Sequence, residues 1–162
     1  MKVLLRRALM VGVLAILAGC NSGVSSQKEF SRIMYQENLF PEYPKAGRTY
    51  LSFNRLHGFQ VEYFGSNKSN FLWYPGNKVV LPGRWKVDGK LVCYQYGSNT
   101  YNPVTDKRGG KWSCTPREFS AKGVVASLKG DPYGLSRSKN APYILQKCKA
   151  PKKFKLRRAA TC

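Results

Sequence analysis

Histidine occurs once in this chain, at His57, and acidic residues only eight times, with none beyond Asp131. One imidazole excludes His-rich metal centres and leaves a single candidate base for activating a nucleophile. There is no Gly-x-Ser-x-Gly elbow, no Gly-rich phosphate loop and no closely spaced cysteine pair. Those absences remove the α/β-hydrolase nucleophile, the nucleotide-binding loop and the usual zinc-ribbon arrangement. Internal repeats are missing too, and beyond residue 19 there is no long apolar run. What is present is 162 residues carrying 28 basic against eight acidic side chains, a formal charge of +20. That length suits one domain. With 13% aromatic and only 22% charged residues, the chain is not composed like a disordered one.

The N-terminus supplies the one long apolar run. Lys2, Arg6 and Arg7 precede an apolar stretch from Ala8 to Leu17, too short to span a bilayer, which takes about 20 apolar residues. The run closes on Leu17-Ala18-Gly19-Cys20, which resembles the cleavage box of bacterial lipoproteins. Small residues at 18 and 19 let an extended backbone enter a peptidase, and only a thiol at position 20 can form a thioether. The resemblance implies a signal peptide over 1–19, a diacylglyceryl thioether on Cys20 and acylation of the new N-terminus. Two or three acyl chains give durable attachment, since each buried methylene contributes about 0.8 kcal/mol. In Gram-negative lipoproteins Asp after the lipidated cysteine commonly signals inner-membrane retention. Asn21 therefore points to the outer membrane, with the domain facing the periplasm.

Assigning Cys20 to lipid leaves Cys93, Cys114, Cys148 and Cys162, an even set for an oxidising compartment. Three connectivities are open. The most local pairs Cys93 with Cys114 and Cys148 with Cys162. The latter closes a loop of about 15 residues, worth about 3 kcal/mol in the chain-entropy account, and would pin the C-terminus.

The mature chain divides into a lipidated tether over 20–27, a mainly β domain over 28–148 and a basic C-terminal tail over 149–162. Ser26 and Glu29 read as a capping box opening a helix over about 26–38, with Phe30, Ile33 and Met34 on its apolar stripe. From Thr49 onward, aromatic and β-branched runs at 50–53, 59–64 and 70–74 predict strands. Pro75-Gly76 and Pro82-Gly83 both read as tight turns. Asp88-Gly89 signals a hairpin that puts Trp85 opposite Val92, with Tyr94 and Tyr96 on that face and Cys93 on the other. A short strand, 111–113, precedes Cys114, and residues 119–129 fit either a strand or a helical turn. The fold expected is a small antiparallel sheet or incomplete barrel with an N-terminal helix, braced by disulfides.

The run from Phe71 to Cys114, with its FLWYPGN, GRW and GGKWSC segments, resembles small exported β-domains of uncharacterised proteobacterial proteins. That resemblance implies a β fold and a Cys93–Cys114 bridge, and carries no activity with it.

Function is constrained mainly by charge. Without Lys2, Arg6 and Arg7 the mature chain keeps 25 basic residues against eight acids, or +17. Nucleic acid is one partner for such a surface, with Tyr94, Tyr96, Tyr101 and Trp112 as stacking candidates, but an envelope location disfavours it. The nearer polyanions are lipid headgroups, lipopolysaccharide phosphates and peptidoglycan carboxylates, and a partner protein complex is a further option. Lys147, Lys149, Lys152, Lys153, Lys155, Arg157 and Arg158 form the expected anionic-surface contact. Catalysis would require His57 with a nucleophile, or two facing carboxylates drawn from Glu62, Glu118, Asp88 and Asp106. Nothing in the spacing pairs them. A lysozyme inhibitor is disfavoured because its target is also basic. The expectation is a non-enzymatic, cofactor-free binding or structural module of the envelope. A glycan-directed envelope enzyme and a nucleic-acid-binding module at the cell envelope are the alternatives.

Overall fold

Alternating aromatic and polar residues set the architecture. In the computed structural model, which describes residues 26–162, they form a seven-stranded antiparallel sheet curled into a half-barrel. The signal peptide, Cys20 and the first residues of the tether lie outside the described residues. Helix α1 (Ser26–Met34) leads into strands β1 (Arg48–Asn54), β2 (Gly58–Phe64), β3 (Ser69–Trp73), β4 (Leu81–Asp88) and β5 (Leu91–Tyr96). A two-stranded hairpin, β6 (Tyr101–Asn102) and β7 (Lys107–Arg108), interrupts the connection to β8 (Ser113–Pro116). Helix α2 (Arg117–Gly123) and strand β9 (Val124–Lys129) follow. The order across the sheet is β8-β5-β4-β3-β2-β1-β9. The seven residues of α2 therefore carry the chain from one edge of the sheet to the other across its inner face. Residues 119–129, open to two readings in sequence, are both: helix first, then edge strand. No helix among the described residues is long and apolar enough to cross a membrane.

Strand alternation divides the apolar residues between two faces. On the outer face Leu51, Phe53, Phe59, Val61 and Trp73 are buried beneath the C-terminal segment, which contributes Leu135, Leu145 and Phe154. That segment is stitched to the sheet by backbone bonds from Phe59 to Lys147, Gly76 to Leu145 and Val80 to Lys139, and by Trp73 Nε1 donating to the Tyr143 carbonyl at 3.0 Å. On the inner face Tyr50, Phe64, Trp85 and Val92 pack with Phe40 and Tyr43 from the α1–β1 connection and with Ala121 of α2. Edge-to-face contacts among Tyr43, Tyr50, Phe64 and Trp85 organise this second core.

Four local expectations are corrected. Helix α1 stops at Met34, not near 38. Glu29 is buried, and its carboxylate accepts from Arg32 and from the Arg55 backbone N–H at 2.8 Å, holding α1 against the β1–β2 turn. The β4–β5 turn is Gly89-Lys90, with Asp88 opposite Leu91 and Trp85 opposite Tyr94; Gly89 sits at φ 57° in the first central position, where a II′ turn needs positive φ. The register therefore moves by two residues, and the face assignment survives because side chains repeat every two. Pro82-Gly83 is no turn but lies within β4. The short strand near Cys114 covers Ser113–Pro116, not 111–113.

Both disulfides follow the most local connectivity. Cys93 and Cys114 are register partners on β5 and β8, and Cys148–Cys162 ties the chain's last residue back beside the outer face.

Candidate functional site

The inner face is only partly covered. The 39–43 segment and α2 fill the part nearest the β4–β5 hairpin, while the opposite end, where β2 and β4 begin and β3 and β5 finish, stays open. There a cleft of about 760 Å³ lies between the sheet and the β5–β8 loop. Its floor comes from successive strands: Gln60 of β2, Leu72 of β3, Leu81 of β4, and Tyr94 and Tyr96 of β5. Tyr101, Val104 and Trp112 of the loop form one wall, with Leu56 and His57 of the β1–β2 turn facing them. Lys107, Arg108, Lys111 and Lys147 are the cations on the rim, against one acid, Asp106, whose carboxylate is taken by the Tyr101 hydroxyl at 2.7 Å.

The floor is held by a polar cluster on the same face of the sheet. The Tyr96 hydroxyl donates to Glu62 Oε1 at 2.7 Å, Asn70 Nδ2 donates to the same oxygen, and Asn70 Nδ2 also reaches the Tyr96 hydroxyl at 3.0 Å. Burial pushes the Glu62 carboxyl up to about 7, against the opposing pull of the Tyr96 and Asn70 hydrogen bonds. Tyr94 shares a hydrogen bond with Tyr43, and burial, reinforced by the neighbouring phenols and Glu62, holds Tyr43, Tyr94 and Tyr96 well above the ordinary tyrosine value. These rings are neutral, fixed surfaces. Gly83 makes the cluster possible: a Cβ there would stand 2.7 Å from the Tyr96 ring and 2.8 Å from Asn70 Oδ1.

The loop over the cleft is anchored at its feet. Gly110 N donates to the Tyr96 carbonyl at 2.8 Å, Gln95 Nε2 to the Gly110 carbonyl at 3.0 Å, and the Cys93–Cys114 bridge fixes the strand that receives it.

The seven basic residues expected to act together are dispersed by the fold. Lys147 joins the cleft rim. Lys153 Nζ caps the Pro132 carbonyl at 2.7 Å and sits over the Tyr133 ring. Arg157 donates to the Leu39 carbonyl at 3.0 Å, and Arg158 to those of Glu37 and Val124. Lys149, Lys152 and Lys155 are exposed, and among the described residues no side-chain partner engages them. Residues 149–162 thus run along the body of the domain, with Phe154 buried in the outer core.

The candidate catalytic residues do not converge. His57 lines the cleft wall, its imidazole pushed below its ordinary value by burial and then by Lys147, so it is a neutral ring. Glu62 meets Asn70 and Tyr96, not a second carboxylate. Asp88 pairs with Lys86 at 3.2 Å on the exposed hairpin, and Glu118 with Lys122 at 3.0 Å on α2. Among the described residues no three His, Cys, Asp or Glu side chains cluster as metal ligands.

Tyr94, Tyr96, Tyr101 and Trp112, flagged in sequence as stacking candidates, do meet at one site. Gln60, Leu72 and Leu81 were missed. The available signal was polar Gln60 and Glu62 on the face that β2 shares with buried Phe64, which marks an inner surface left partly wet. No protein-family model matches the chain, and no curated protein or solved structure is significantly similar to it.

Proposed function

We propose that the protein is a lipid-anchored envelope module, held through acylated Cys20, that binds an anionic envelope component in the inner-face cleft without transforming it. The observation that carries this reading is the cleft itself, with a floor of fixed tyrosine and leucine surface and four cations on the rim against one engaged acid. An occupant with a phosphate or carboxylate head and a less polar body matches both parts. The head meets Lys107, Lys111 and Lys147 in charge-assisted hydrogen bonds, and the body lies on Tyr94 and Tyr96. Among the described residues Glu62 meets Asn70 and Tyr96 and no second carboxylate, which favours binding over glycan hydrolysis.

Calorimetric titration of the mature protein with lipopolysaccharide-derived phosphoglycolipid and with muropeptides tests this, with an oligonucleotide and a neutral glycan as controls. One anionic envelope fragment is expected to bind, and Lys111→Gln with Lys147→Gln to weaken it by about tenfold or more, the scale of losing a charged hydrogen bond. Binding unchanged in that variant, or hydrolysis of the fragment, would overturn the reading.

A further inference from the structure

Strand direction gathers the cleft mouth, the β1–β2 turn at 55–57, the β3–β4 connection at 74–80, the loop at 97–112 and the segment 139–147 at one end of the half-barrel. Segment 139–147 is joined to it by Val79 pairing with Asn140 and by the Trp73–Tyr143 bond. Val79, Tyr101, Val104, Tyr143 and Ile144 project there, each between 46% and 55% exposed. Arg55, Lys78, Lys107, Arg108, Lys111 and Lys139 are exposed around them. The acids on these segments and on α1 are Asp106, held by Tyr101, and Glu29, buried against Arg32. Aromatic and aliphatic tips ringed by unneutralised cations are the composition of a surface that sits at the headgroup level of an anionic membrane.

The start of the described chain is at the same end, because Glu29 of α1 binds the Arg55 backbone. Residues Cys20 to Ser26 span at most about 20 Å when fully extended. An acyl anchor on Cys20 therefore keeps this end close to the bilayer.

We propose that this end of the half-barrel docks on the anionic surface of the membrane that holds the lipid anchor. Tyr101, Val104, Tyr143 and Ile144 enter the headgroup layer, with Arg55, Lys78 and Lys139 on its phosphates. The orientation rests on acylation of Cys20; Arg55, Lys78, Lys139, Tyr143 and Ile144 lie outside the cleft lining, so docking through them does not depend on what fills the cleft.

Native fluorescence gives a clean test, because Trp73 and Trp85 are buried at 0% and 3% exposure. In a Trp112→Phe background, single probes are placed by Val104→Trp, by Ile144→Trp and, at the opposite end, by Val87→Trp. The mature chain, its acylation checked by mass, is reconstituted in vesicles containing brominated lipid, with or without phosphatidylglycerol. The expected result is quenching of the probes at 104 and 144 but not at 87, on anionic vesicles only. Salt that shortens the Debye length from about 8 Å towards 3 Å should abolish it. Replacing Arg55, Lys78 and Lys139 by Gln should weaken docking on the order of a hundredfold. Quenching at 87, equal quenching at all three sites, none at any, or quenching indifferent to lipid charge would overturn the proposal. A chain that lacks acyl groups by mass yet docks through 104 and 144 would refute the anchor and support the docking surface.

Discussion

Glu62 is the acid most altered by the fold. Its carboxyl is raised from its ordinary 4.5 to about 7 because burial outweighs the hydrogen bonds from Tyr96 and Asn70. The folded protein therefore holds this proton more tightly than the unfolded chain does. Its contribution to stability is complete below about pH 4.5 and is lost as pH rises through about 7. Glu29 slopes the other way. Burial pushes its carboxyl up, but the Arg32 and Arg55 hydrogen bonds and charges outweigh burial and hold it below 4.5, so its stabilisation disappears only under more acidic conditions. Thermal melts across the window are expected to show Glu62→Gln flattening the pH dependence and melting higher than wild type above about pH 7. Gly83→Ala is expected to cost about 1–3 kcal/mol, the usual scale of overpacking, and to displace Tyr96; chemical denaturation and tyrosine NMR shifts measure both. Neither residue was readable as part of a site from the sequence. Glu62 looked like one of several scattered carboxylates, and Gly83 like half of a Pro-Gly turn, because the partners that give them meaning lie on strands β3 and β5.

At the scale of elements, local signals fixed the strands well and the outer covering poorly. The aromatic and β-branched runs at 50–53, 59–64 and 70–74 became β1, β2 and β3 almost residue for residue. The Asp-Gly signal located the hairpin and missed its centre by one residue, a shift that left every face assignment intact. Segment 149–162 read as a basic tail for an anionic surface because its apolar residues are too few to show a period. Phe154 is buried nonetheless, and three of its cations cap carbonyls elsewhere in the chain. The Cys148–Cys162 bridge holds that arrangement, and its loss through Cys148→Ser with Cys162→Ser is expected to cost about 3 kcal/mol. Hydrogen exchange should then rise along 149–162 and at the Phe59 and Arg157 amides, which the C-terminal segment and β9 protect in the intact protein. Unchanged exchange there would show that packing alone holds the segment.

For the whole molecule, the formal charge of +17 carried by the described residues is not a single basic patch. Only three ion pairs form among the described residues, so most cations remain free, but their placement divides them into rim, carbonyl caps and outward lysines. Composition led only to the expectation of a polyanion partner; it could not show that the inner face of the sheet opens into a cleft, since that depends on how α2 crosses from β8 to β9 and leaves one end uncovered. The central claim is that this cleft, and not the C-terminal lysines, holds the anionic ligand. The most direct measurement is a heteronuclear NMR titration of the mature protein with the envelope fragment that binds. The expected result is that shifts concentrate at Gln60, Tyr94, Tyr96 and residues 100–113, saturate together, and vanish in Tyr96→Ala. Shifts confined to Lys149, Lys152 and Lys155, with the cleft residues unmoved, would contradict it.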